Sequence, residues 1–302
     1  MGTFAGLLEP LGYDFMVRAI GVSAVVGVVC AVLSCYITLK GWSLMGDAVS
    51  HSVLPGVVLA YIVGVPFAIG AFVFGLGSVV AIGFVKARTR IKEDTAIGVV
   101  FTGLFALGIV LISKTPSNID LTHILFGNAL GISDYDTVQT VVIGSAALAV
   151  IAVLRKDLLL FCFDVTHARS IGINTTALYY AFLALLAAIV VAALQAVGII
   201  LVVAMLITPG ATAYLLTDRF NRMVAIAVAT SAFSSVAGAY LSYYLDGSTG
   251  GCIVVLQTLL FVVVLVVAPK HGLLAQRRRG QRLRAGGEDT AALRLAPRSA
   301  PM

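Results

Sequence analysis

The chain has 302 residues, 60% of them hydrophobic and only 11% charged, with a mean hydropathy of +1.05. A soluble domain is about one quarter charged, so this composition excludes a water-soluble enzyme and a disordered chain and leaves an integral membrane protein. The net charge of +6 raises the question of a nucleic-acid partner, but it resides in residues 270–302, which hold eight basic and two acidic side chains, while the preceding 269 residues balance at twelve of each.

A membrane helix needs about 20 mostly apolar residues. In chain order, such runs fall at 15–39, 47–64, 67–85, 95–113, 137–154, 176–194, 198–217, 223–244 and 250–268. Gly64-Val65-Pro66 separates the second from the third. Gln195-Ala196-Val197 is a thin break, so the sixth and seventh runs read as two helices or as one bent element. The expected fold is all-α: a polytopic transmembrane bundle of about eight to nine spans, filling 1–269 as one transmembrane domain. Residues 1–14 carry Glu9 and Asp14 and no Lys or Arg, unlike the basic leader of a signal peptide. Gly70, Gly75, Gly77 and Gly83 in the third run are positions where helices can approach closely.

Alternate connections carry the positive charge. Lys40, Lys86, Arg88, Arg90, Lys92, Arg155, Lys156, Arg169, Arg219 and Arg222 fall on one side, and only Arg18 and Lys114 on the other. By the positive-inside rule the first set is cytoplasmic, which puts the N-terminus outside and the C-terminus inside. The tail 270–302, rich in Gly, Pro, Ala and Arg, is expected to be a disordered, solvated cytoplasmic segment near anionic lipid rather than a nucleic-acid module. Four cysteines, Cys30, Cys35, Cys162 and Cys252, form no CxxC, so neither a disulfide frame nor a structural zinc site is indicated.

One ionisable pair stands inside the apolar runs. Asp47 and His51, in Gly46-Asp47-Ala48-Val49-Ser50-His51-Ser52-Val53-Leu54-Pro55-Gly56, are four residues apart at the start of the second run. On a helix that spacing sets a carboxylate and an imidazole on one face. Ionisable groups in lipid cost several kcal/mol and mark a pathway or a partner. A carboxylate with an imidazole suits Mn²⁺, Fe²⁺ or Zn²⁺, and two ligands suit a passing ion better than a stored one. A plain Asp–His hydrogen bond that locks the fold is the competing reading. Pro55-Gly56 is a place for the helix to break.

Other positions are secondary candidates for the pathway or for structure. His123 and Asn128 lie in a stretch too short to span, which reads as an interfacial or re-entrant helix or as a packed outer loop. Thr208-Pro209-Gly210 can kink the seventh run, with Pro209 the candidate there. Gln195 and Gln257 read as inter-helix glue. His167 and His271 carry little weight as ligands. The connection 155–175 contains a short amphipathic helix with Asp164 as N-cap and Gly172 as stop, able to dock in a partner's groove or to lie on lipid. No GxxxxGK[ST], HExxH or GxSxG occurs, so the chain carries no P-loop and neither common hydrolase signature.

Leu44-Met45 followed by Gly46–Gly56 resembles the signature of the permease subunits of manganese/zinc/iron ABC importers. Leu121–Ser133, Phe163–Ile173 and Gly198–Ala213 match three further stretches of that family, and the likeness runs from about Phe15 to about Gly272. The resemblance implies a non-enzymatic transport subunit in a prokaryotic plasma membrane, paired with a second copy of itself around a translocation path. It further implies two cytoplasmic ATPase subunits that hold ATP, and an extracellular solute-binding protein that delivers Mn²⁺ or Zn²⁺, or Fe²⁺. No permanently bound cofactor is expected. Asp47 and His51 carry over as metal ligands, and 163–173 as the coupling helix, with Asp164, Ala168 and Gly172 as the residues that serve contact with the ATPase. The rival reading is a secondary, ion-coupled divalent metal transporter, which explains the Asp–His pair but not the docking helix.

Overall fold

The computed structural model describes residues 9–115 and 133–269, together with Gly272 and Ala275. His123, Asn128, His271 and nearly all of the 270–302 tail lie outside the described residues. Every long element is an α-helix. After a short turn at Glu9–Gly12, α1 runs over Asp14–Lys40. The second apolar run is divided into α2 (Ser43–Ser52) and α3 (Leu54–Val63). Then follow α4 (Phe67–Arg88), α5 (Glu93–Lys114), α6 (Asp134–Val153), α7 (Arg155–Phe163), α8 (Val165–Ser170), α9 (Thr175–Val197), α10 (Ile199–Leu216), α11 (Phe220–Leu245) and α12 (Thr249–Val267).

Among the described residues, nine segments are long and apolar enough to cross a membrane, with α2 and α3 counting as one. The protein is therefore a multi-pass helical bundle at the upper end of the expected count. The thin break at 195–197 is resolved as two spans, because Gly198 takes φ +83°, ψ 165° and ends α9 before α10 begins. The second span starts at Ser43 and not at 47, so Asp47 and His51 sit inside α2 and not at its opening. Ser43 and Gly46 lower the local hydropathy without preventing a helix.

Burial orders the bundle. The best apolar window of α1 is 67% buried and that of α9 is 61%, against 11% for α12 and 17% for α5. The first pair forms the centre, with α10 and α11 packed on α1, and the second pair faces outward. The α1–α11 seam is built from small residues: Ser231 donates its hydroxyl to the Gly27 carbonyl at 2.9 Å, and Ser235 to the Ser231 carbonyl. Such contacts replace the missing hydrophobic drive between helices in lipid.

The α3–α4 crossing is tighter still. A Cβ on Gly56 would lie 2.1 Å from the Gly70 carbonyl oxygen, and one on Gly70 equally close to the Gly56 oxygen. Both obstacles are backbone, which cannot swing aside. The other glycines of α4 differ: Gly75 meets Val53 and Val49 at ordinary contact distance, Gly83 meets Tyr179, and Gly77 meets nothing within 4 Å. Accordingly, Gly56→Ala or Gly70→Ala should destabilise the bundle by about 1–3 kcal/mol through overpacking, read as a lower thermal midpoint of the purified protein in detergent. Gly77→Ala should leave the midpoint unchanged.

Candidate metal site

Helix α2 exists as a separate piece because Pro55 has no N–H to give to the His51 carbonyl. That carbonyl is turned toward the Val53 N–H, and Pro55 starts α3 in the first turn, where proline is tolerated. Within α2, Ser50 and Ser52 return their hydroxyls to the Gly46 and Ala48 carbonyls at 2.8 and 2.6 Å. The serines thus satisfy themselves and do not compete for the ionisable pair.

Asp47 Oδ1 lies 3.4 Å from His51 Nε2, one helical turn away. Two donors each roughly 2.1 Å from one ion stand about 3.0–3.4 Å apart for octahedral to tetrahedral angles, so this spacing suits chelation. Side-chain exposure is 34% for Asp47 and 25% for His51, so the pair is accessible at one edge and not sealed in the core. The imidazole is held from the other side by α5: its ring centre is 5.3 Å from that of Phe101 and 5.1 Å from that of Phe105, the latter edge-to-face at 84°. His51 Nδ1 is buried and has no hydrogen-bond partner among the described residues. Phe101 and Phe105 went unremarked in the sequence, where two phenylalanines four apart in an apolar run look like ordinary core.

Among the described residues, no group of three or more His, Cys, Asp or Glu side chains is gathered to hold a metal. Among the described residues the pair therefore stands as two potential donors without a third beside it. The cysteines add nothing: Cys30 and Cys35 are buried in α1, and burial pushes the Cys162 thiol up to about 12, which keeps it neutral.

Pro209 is buried inside α10, which runs through it unbroken and is stitched to α1 beside it. The Gly210 N–H donates to Ser34 Oγ at 2.9 Å, and Ser34 Oγ donates to the Ile207 carbonyl at 3.2 Å. Gln195 accepts from Gln139 Nε2 at 2.9 Å and so ties α9 to α6, whereas the buried amide of Gln257 has no partner among the described residues.

The connection after α6 forms two short helices, α7 and α8. Asp164 Oδ1 accepts from the N–H groups of Thr166 and His167 at 2.8 and 2.9 Å, capping α8. Gly172, at φ +89°, ends it. Ala168 is fully buried and seats α8 on the bundle, leaving Phe163 at 66% and Ile171 at 57% exposed on either side. These two flanking apolar side chains were not singled out from the sequence.

A family profile described as "ABC 3 transport family" matches residues 12–268. The chain is 63% identical over 270 residues to the manganese transport system membrane protein MntB of Synechocystis sp., covering 89% of this chain and 88% of that protein. It is 54% identical over 273 residues to the chelated iron transport system membrane protein YfeC of Yersinia pestis, covering 90% of this chain and 93% of that one. A solved structure titled PsaBC from Streptococcus pneumoniae in complex with Fab superposes with a TM-score of 0.82 at 40% identity, over 91% of this chain and all of that chain. The chain belongs to the ABC 3 transport family.

The capping geometry makes a local prediction. Asp164→Ala removes both acceptor contacts and should cost about 1 kcal/mol of α8 stability, raising amide exchange at Thr166 and His167 about fivefold in hydrogen-exchange mass spectrometry. Exchange in α9 should not change.

Proposed function

We propose that, within the family to which it belongs, this chain is the membrane subunit of an ATP-driven importer for divalent transition metal ions, with manganese or iron as cargo. The observation that carries the reading is the Asp47–His51 pair, a chelating but half-complete donor set on a broken helix inside a membrane bundle. Two copies of the chain bring their pairs together and complete a four-donor passage site between them. The names of the manganese and iron relatives support the cargo, and zinc fits the same ligand types without a named relative among those compared. Membership of an ABC transport family speaks against a secondary, ion-coupled transporter.

The remaining parts follow from charge and exposure. The end of the bundle that bears α7 and α8 faces the cytoplasm, because the basic connections gather there. The N-terminus lies outside, and the 270–302 tail follows α12 on the cytoplasmic side, apart from the transport domain at 1–269. Two cytoplasmic ATPase subunits bind and hydrolyse ATP, and each receives an α8 helix in a groove. Asp164, Ala168 and Gly172 shape that helix, while Phe163 and Ile171 are its apolar contacts. An extracellular solute-binding protein delivers the ion to the opposite end. The host membrane is a prokaryotic plasma membrane.

In a strain deleted for this gene, Asp47→Ala and His51→Ala should each abolish manganese or iron accumulation while membrane levels of the protein stay normal. Elemental analysis of washed cells checks this, and normal accumulation in both variants would overturn the assignment. Separately, Phe163→Ser with Ile171→Ser should weaken recovery of a P-loop ATPase subunit with the purified permease by about a hundredfold or more, since each loses a buried apolar contact of about 1.5–3 kcal/mol.

A further inference from the structure

Beside α8, at the end of the bundle where the basic connections gather, is a cavity of about 340 Å³ that the transport reading does not use. Its floor is buried and aromatic, formed by Trp42 and Phe161 with Gly83. Three cations from three different elements converge on it: Lys40 from the end of α1, Lys86 from α4 and Arg169 from α8. Hydroxyls of Thr175, Thr176, Tyr179 and Tyr180 complete the lining, and no carboxylate is among the described residues that line it.

The cations are only partly used. Lys40 Nζ donates to the Phe161 carbonyl at 3.1 Å and sits 4.2 Å from the centre of that ring. Arg169 spends Nε on Thr175 Oγ1 at 2.9 Å, which holds the guanidinium at the cavity while its terminal nitrogens make no further bond among the described residues. Lys86 pairs with Glu93, which lies outside the lining. The Tyr179 hydroxyl is buried without a hydrogen-bond partner among the described residues. Two cations without a carboxylate partner, Lys40 and Arg169, together with an idle phenol and the amino end of α9, favour an anion with several acceptor oxygens, while Glu93 already compensates Lys86. Aromatic side chains at the membrane boundary are where headgroups sit.

We propose that this cavity binds a phosphate-bearing anion, supplied as the headgroup of an anionic phospholipid or as free phosphate. Because Arg169 belongs to α8 and Lys40 and Lys86 to spans, the bound phosphate ties the docking helix to the bundle. The site is independent of the metal pair and does not require the cargo to be known.

Trp42 is the only tryptophan of the chain and lies in the cavity wall, so its emission is a built-in reporter. The full-length protein in neutral detergent would be titrated with short-chain phosphatidylglycerol, short-chain phosphatidylcholine and inorganic phosphate. A saturable change with phosphatidylglycerol and none with phosphatidylcholine is expected. Response to phosphatidylglycerol alone assigns the lipid source, and response to inorganic phosphate as well assigns the soluble one. Lys40→Gln and Arg169→Gln should each weaken the apparent affinity about tenfold, as expected for one charge-assisted hydrogen bond. Arg222→Gln, a cation of the same end outside the cavity, should leave it unchanged. The proposal is overturned if no anion gives a saturable change, or if Arg222→Gln weakens binding as much as the cavity variants.

Discussion

Inside a bilayer there is no water to satisfy a polar group, and that constraint sorts nearly every polar residue of this bundle. Most answer it at short range. Ser50, Ser52, Thr212, Thr230 and Ser234 each return a hydroxyl to a carbonyl one turn back. Ser34 answers it across helices, by taking the Gly210 N–H and covering the Ile207 carbonyl beside Pro209. Gln139 and Gln195 answer it as a pair. Set against that background, Asp47 and His51 differ in kind. They face each other at 3.4 Å, yet the buried Nδ1 is idle and both side chains stay partly accessible. An idle buried polar atom is not peculiar to this pair, since the Gln257 amide and the Tyr179 hydroxyl also lack partners among the described residues, but only here does it accompany a facing carboxylate and imidazole.

The break at Val53 and the crossing of α3 with α4 belong to the same logic. Pro55 ends α2 one turn after His51, and Gly56 lets α3 press backbone to backbone on Gly70. The next contact in line is Gly108 of α5, where a Cβ would meet Leu54 at 2.9 Å. Those three close approaches bring α5 against α2 and so set Phe101 and Phe105 on the imidazole. The signature Gly46–Gly56 thus serves two purposes at once. Its polar half carries the facing Asp47 and His51, and its Pro-Gly half starts the helix on which α5, with its two phenylalanines, packs.

Much of this was legible from the sequence because lipid imposes long, uniform signals. Nine apolar runs became nine spans, and Asp164 and Gly172 bounded α8 as cap and stop, since both effects act within a few residues. What escaped was set by distant contacts. The start of the second span at Ser43 escaped because Ser43, Gly46 and Asp47 lower the local hydropathy although the backbone there is helical. Phe101 and Phe105 are some fifty residues from His51, and nothing local separates a clamp from core. Phe163 and Ile171 carried no signal of their own in the sequence, and only the burial of Ala168 between them shows that they are left exposed. Gly77 read like Gly70, but only the second has a backbone opposite it.

On the proposed two-copy reading, a site divided between the copies also constrains how the ion moves. A conducting or alternating pathway needs sites that bind well enough to draw the ion from its hydration shell and weakly enough to release it. Two donors per chain meet that demand only if the second pair comes from elsewhere and can withdraw. A shell split between two copies does so by geometry, because a small change in the separation of the copies adds or removes half the ligands without remaking either pair. The helical spacing that holds Asp47 and His51 together is local and rigid, whereas the contact between copies is the part that can be moved. The rigid half then sets which ions fit, and the movable half sets when they leave. In the proposed assembly, energy delivered at α8 needs only to shift one copy against the other, and the burial of Ala168 seats that helix on the bundle.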